Sequence, residues 1–323
     1  MKTSNSWRTG VAIAALCASG IPAVAQETVA TFANGNITLS GAIGMIGIEG
    51  REYVYNGAGS SDVLSLLIWQ SLAPMLTTGL DVELPDGWSI AAKAQVAIAG
   101  DSYMEDFDWL LPVRPSFAFN DWTHRSQHQD TNLDWYFNGS IALGRDIAVN
   151  EDVTVNINGG LKYTDVQWAA IGGTFVYSVS GFRDAAGTFP DTPAITYRQQ
   201  FPALFVGADA EIVQDQWTLG FGAQGGVTFN AVGDDDHWMR VPPLNFIDNL
   251  QMAPTVSLSA SAEYEVDEQL RLFVAGTFDK VFLARGHTEL YNNDTGAMLA
   301  TFPDAAGGEL MSASISVGLK GTF

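Results

Sequence analysis

The chain has 323 residues, and its 15 Lys and Arg against 36 Asp and Glu give a formal net charge of −21. That field disfavours nucleic acid as a partner and favours cationic ones such as basic peptides. The single cysteine, Cys17, excludes a disulfide framework.

The N-terminus reads as a secretory signal peptide over residues 1–25. Lys2 and Arg8 form the positive start, Val11 to Leu16 the apolar segment, and Ala23-Val24-Ala25 the small-residue cleavage site. Cys17 lies inside it, and Leu16 before it argues against lipoprotein processing, where a small residue is expected. Removing Lys2 and Arg8 takes two positive charges from −21, leaving −23 on residues 26–323. No Pro/Gly/Ser-rich linker, charge block or long repeat divides those residues, which read as a single domain. No run of about 18 apolar residues follows the signal, so a membrane-spanning helix is not expected.

Two-residue alternation is present instead, in Trp135 to Leu143, Val153 to Leu161, Trp217 to Phe229, Val256 to Tyr264 and Leu270 to Phe278. It is clearest at the end, where Ile315, Val317, Leu319, Gly321 and Phe323 alternate with Ser316, Gly318, Lys320 and Thr322. A periplasmic sandwich would alternate too. A secreted chain with many strands, scattered Trp and Tyr, tight turns such as Pro85-Asp86-Gly87 and a terminal aromatic residue fits an all-β antiparallel transmembrane β-barrel better. The intervals 99–131, 178–196, 231–253 and 284–310, rich in Asp, Pro, Gly and Asn, are expected to be extracellular loops or the strand extensions that carry them.

Two acidic words carry the chemistry: Glu105-Asp106-Phe107-Asp108-Trp109 and Gly233-Asp234-Asp235-Asp236-His237. Side chains on a strand alternate between faces, so Asp106 with Asp108, and Asp235 with His237, each point one way. Carboxylates and an imidazole around a water are what base-assisted hydrolysis requires. Like charges that close need not both ionise. Acidic loops solvating a rim, or a calcium site, are the alternatives for three consecutive aspartates. No His-Glu-x-x-His and no cysteine pair supports zinc.

From about Ile37 to Phe323 the chain resembles the omptins, outer-membrane aspartyl-type endopeptidases of Gram-negative bacteria. The resemblance rests on Met104 to Trp109, Trp122-Thr123 with Ser126 to Thr131, and Gly181-Phe182-Arg183-Asp184 leading to Gly187-Thr188-Phe189-Pro190. It continues in Asp235-Asp236-His237, Thr288-Glu289-Leu290-Tyr291 and Gly318-Leu319-Lys320. It implies a ten-stranded barrel rising above the membrane with a groove at its extracellular mouth. The family's catalytic pairs then fall on Asp106 and Asp108 and on Asp235 and His237, and an activated water attacks the peptide carbonyl directly. Ser126 and His128 also match, as groove residues or structural hydrogen bonders.

The resemblance further implies cleavage beside basic residues, with Glu52 receiving the cationic side chain. The second acid of that pocket aligns with Gly233, with Asp234 or Glu105 as substitutes, and an acid of the pocket after the bond aligns with His124. Omptins need lipopolysaccharide, held on the outer wall. Here Leu161 to Asp165 matches that region poorly and Gln200 replaces an arginine, while Lys162, Arg183 and Arg198 remain. Dependence on this lipid stays open. So does a rival function, in which an omptin-like barrel serves as an adhesin or peptide receptor without cutting; a diffusion pore is disfavoured by the many bulky residues.

Overall fold

The computed structural model describes residues 36–323, so the signal peptide expected over residues 1–25 lies outside the described residues. The chain runs through β1 (Ile37–Tyr55), β2 (Val63–Glu83), β3 (Trp88–Ala97), β4 (Asp101–Asp108) and β5 (His124–Ala148). It continues through β6 (Val153–Ile171), the short hairpin β7 (Thr174–Tyr177) and β8 (Ala185–Thr188), and β9 (Pro193–Gln214). The remainder is β10 (Trp217–Thr228), β11 (Ala231–His237), β12 (Leu244–Leu250), β13 (Pro254–Glu265), β14 (Leu270–Asn292) and β15 (Ala297–Thr322).

Pairing is antiparallel throughout, and β15 returns to β1, which closes the barrel. Three staves are interrupted: β3 with β4, β10 with β11, and β12 with β13 each occupy one position between the same neighbours. Counted that way the barrel has ten staves, as the resemblance to the omptins implied, with the β7–β8 hairpin added beside β5. Two of the breaks carry left-handed residues, Ala99 (φ 59°) and Asn230 (φ 48°), which end one ladder and start the next. Most of the Asp- and Asn-rich intervals are strand extensions carrying loops: β4, β11, β12 and the upper halves of β14 and β15 lie within them.

Alternation sorts the two faces. Ile43, Leu76, Ile141, Val206, Phe221 and Val317 point outward and are about half exposed or more, forming the apolar band of a bilayer-spanning barrel. Above it the outer wall turns polar at Glu49, Arg51, Glu105, Arg125 and Arg198. Inside, Trp69, Trp168 and Tyr197 stack with ring centroids 5.8 to 6.5 Å apart and are buried. Gly50 lets this layer close, since a Cβ there would stand 2.7 Å from the Trp168 ring. Beneath lies a polar cavity of about 240 Å³, lined among others by Lys93, Lys162, Asp209, Glu263, Asp279 and Lys320. The aromatic layer therefore separates a lumen lined by charged residues below from the acidic cleft above.

Candidate active site

Register decides which residues share the cleft. Glu52 on β1 pairs with Leu67 on β2, Leu67 with Asp106 on β4, and Asp106 with Ser126 on β5. Asp106 and Asp108 stand two residues apart on the inner face of β4, and Ser65 Oγ donates to Asp106 Oδ1 at 3.2 Å. Burial, then the neighbouring Asp108, holds the Asp106 carboxyl well above the usual range, and His237 only partly offsets this. Burial also raises Asp108, against the opposing pull of Ser65, His124, Arg240 and His237.

The opposite wall is β11. Asp235 is 2% exposed, and His237 Nε2 donates to its Oδ2 at 2.6 Å. Burial would lower the His237 pKa, but Asp235, by its charge and its hydrogen bond, together with Asp106, outweighs that and raises it. The side chain of His237 retains 17% exposure, so the ring lies deep in an open cleft and not in a sealed core. Phe246 sets its edge against the ring, centroids 5.2 Å apart. The four residues singled out in the sequence thus meet from two walls, with Asp106 in electrostatic reach of both Asp235 and His237.

The run of three aspartates does not converge. Only Asp235 enters the cleft. Asn245 Nδ2 donates to Asp234 Oδ1 at 2.6 Å and to Asp236 Oδ1 at 3.0 Å, and Asn293 donates to Asp236. Asp234 and Glu105 therefore do not replace the acid missing at Gly233. Each is one residue from an inward carboxylate and faces away from it; Glu105 is committed to Arg125, Tyr103 and Gln127 on the outer wall.

Glu52 is 2% exposed, and its Oε2 has no hydrogen-bond partner among the described residues. Burial first, then Asp235, Asp248 and Asp106, push its carboxyl well above the usual range. Ser126 and His128 are 3% and 2% exposed and bonded to each other at 2.9 Å, with His128 stacked on Phe189. His128 Nδ1 finds no acid, so the pair ties β5 to the β7–β8 hairpin and presents no accessible nucleophile. His124 pairs with Asp108 across the β4–β5 ladder and packs on Tyr177 at 4.8 Å.

The cations expected near the lipid site separate. Lys162 points inward and pairs with Asp279 in the lumen, and Arg183 donates to the carbonyls of Asn120 and Trp122. Only Arg198 stays on the outer wall, paired with Asp165 beside Trp135 and Tyr163. Residues not anticipated are Ser65, Arg240 and Asp248. Asp248, a lone acid among Phe246, Ile247 and Leu250, carries the one local signal that could have marked it.

Protease 7 of Escherichia coli O157:H7 is 25% identical over 94% of this chain and 95% of its own length. The outer membrane protease IcsP of Shigella flexneri is 23% identical, covering 96% and 98%. The crystal structure of the outer membrane protease OmpT from Escherichia coli superposes with a TM-score of 0.82 at 23% identity, over 92% of this chain and 99% of that one, which establishes the shared barrel. The Omptin family model matches residues 33–323, that is, every strand of the barrel. The chain therefore belongs to the omptin family of outer-membrane proteases.

Proposed function

We propose that this barrel is an endopeptidase of aspartyl type that hydrolyses peptide bonds in exposed polypeptides, with its cleft facing the cell exterior and a preference for basic residues. The observation that carries the reading is the Asp235–His237 hydrogen bond opposite Asp106 and Asp108. With Nε2–H donated to Asp235, His237 presents the Nδ1 lone pair as general base. A water held between that nitrogen and the Asp106 and Asp108 pair loses its proton to His237 while its oxygen attacks the scissile carbonyl. The proton then passes to the departing amine, and no acyl-enzyme forms. The raised pKa values of Asp106 and Asp108 suit a pair that retains one proton, so it can donate to the developing oxyanion as well as hold the water.

Glu52 receives the basic side chain before the scissile bond. Lipopolysaccharide supports activity from the outer wall, where Trp135, Tyr163, Asp165 and Arg198 gather. The test is cleavage of a mixed peptide library by refolded barrel, with and without lipopolysaccharide. His237→Ala and Asp108→Ala should each cost about 10² to 10⁴ in turnover while the barrel stays folded. Wild-type turnover in either variant would overturn the assignment; binding of cationic peptide with no turnover in the parent would favour the receptor.

A further inference from the structure

The pocket holding Glu52 lacks a side chain at Gly233, and the structure shows what stands opposite. Gly233 and Asp248 are direct partners in the β11–β12 ladder. A Cβ on Gly233 would come within 3.3 Å of both the Asp248 Cβ and the Tyr197 hydroxyl, so the missing side chain is the space beside that carboxylate. Gly308, the β15 partner of Glu52, borders the same floor from the other side: a Cβ there would stand 2.9 Å from Leu250 Cδ1, 3.5 Å from Gln199 Nε2 and 3.9 Å from the Tyr197 hydroxyl, so Leu250 packs over the bare backbone. Glu52 and Asp248 thus lie within electrostatic reach of each other on one buried floor, and the backbone beside Asp248 carries no side chain at Gly233.

That space is rich in acceptors. Asp248 is 3% exposed and takes one hydrogen bond, from Thr288 Oγ1 to its Oδ1 at 2.7 Å. Glu52 Oε2, Gln199 Oε1 and Asp235 Oδ1 are buried with no donor among the described residues. Leaving several buried acceptors unmatched is costly, and a group carrying many N–H donors and a positive charge satisfies them together. We infer that Asp248 is the second carboxylate of this pocket, supplied from β12 where Gly233 on β11 has none, and that Glu52 and Asp248 together clamp a guanidinium or ammonium side chain preceding the scissile bond. The inference rests on the peptidase reading for the identity of the ligand, and on the unpartnered buried acceptors for its chemistry. Burial, with Asp235 and Asp234 adding to it, raises the Asp248 pKa to about 7, which leaves the group ready to ionise when a cation arrives.

The test uses the full refolded barrel and four peptides identical except for Arg, Lys, citrulline or Leu before the cut. Citrulline keeps the shape of arginine without its charge. Asp248→Asn should lower kcat/KM for the Arg and Lys peptides by about 10- to 100-fold, chiefly through KM, the range for one charge-assisted hydrogen bond. The citrulline peptide should change by less than about 3-fold, since neutral substrate does not use the charge. Equal losses on Arg and citrulline, as a merely structural role would give, or no loss at all, would falsify the inference. Binding of the same peptides to the His237→Ala barrel needs no turnover and reads the pocket alone. There, adding Asp248→Asn should weaken the Arg peptide by a similar factor. Equal affinity of that barrel for Arg and citrulline peptides would sink the pocket even if the catalytic assignment survived.

Discussion

Asp235 and His237 sit two residues apart on β11 and share a 2.6 Å hydrogen bond through Nε2, which assigns the proton to that nitrogen and the lone pair to Nδ1. The contact that orients the base also raises its pKa above the ordinary 6.5. Turnover should therefore rise with pH through a midpoint above 6.5, because only neutral imidazole accepts a proton. Asp235→Asn should cut kcat by roughly 10³ to 10⁴ and move the acid limb of the remaining activity to lower pH. An unmoved limb in the kcat/KM profile would show that another group titrates. The stability effect runs the other way: the pair stabilises the folded barrel fully below the unfolded pKa, and this is lost as pH rises through the folded one.

Asp248 gives a second pH signature. Its folded pKa of about 7 lies above the 3.8 of a free aspartate. Its contribution to stability is therefore fully present below 3.8 and lost as pH rises through about 7. Glu52 and Asp106, shifted the same way, add to it. Thermal unfolding followed between pH 5 and pH 8 should show the parent barrel weakening with pH, and Asp248→Asn should reduce the slope. An identical slope in both would remove Asp248 as a source.

Arg183 is the clamp of the loop that follows Asp108. Its guanidinium donates to the carbonyls of Asn120 and Trp122 and stacks on the Trp122 ring at 3.5 Å, while Ser178 Oγ donates to the Thr123 carbonyl. Arg183→Lys keeps a charge but loses the planar fork. Both it and Arg183→Ala should raise proteolytic nicking within 109–123 and lower kcat by about 10-fold, since small displacements of a positioned group are expensive. Parent-like nicking and kcat in Arg183→Ala would refute the clamp.

His124 stands across the β4–β5 ladder from Asp108, with Arg240 in electrostatic reach of the same carboxylate. Two basic groups there should disfavour Lys or Arg after the scissile bond. His124→Asp should improve cleavage of such peptides about 10-fold relative to ones with Ala at that place, by replacing repulsion with attraction. The cut sites and their rates, read by mass spectrometry, decide it; an unchanged ratio would mean that the residue after the bond does not reach His124.

Much of this barrel follows from local chemistry in the sequence. Alternation at a period of two marked the strands from Trp135 to Phe323, and the i, i+2 spacing put Asp106 with Asp108, and Asp235 with His237, on common faces, because pleating allows a strand nothing else. Parity alone would also have removed Asp234 and Glu105 from the pocket, each being one residue from an inward carboxylate. Period two, however, gives a face only up to sign and names no partner across the lumen. Closure of ten staves in one register decided that Asp106 looks at His237, that Asp248 fills the side Gly233 leaves bare, and that Lys162 turns into the lumen to Asp279. It also buried Ser126 and His128 behind Phe189, away from any substrate. The Lys162–Asp279 pair joins residues 117 positions apart (279 − 162), and pairing at such separations is set by the barrel's shear, which no stretch of sequence carries by itself.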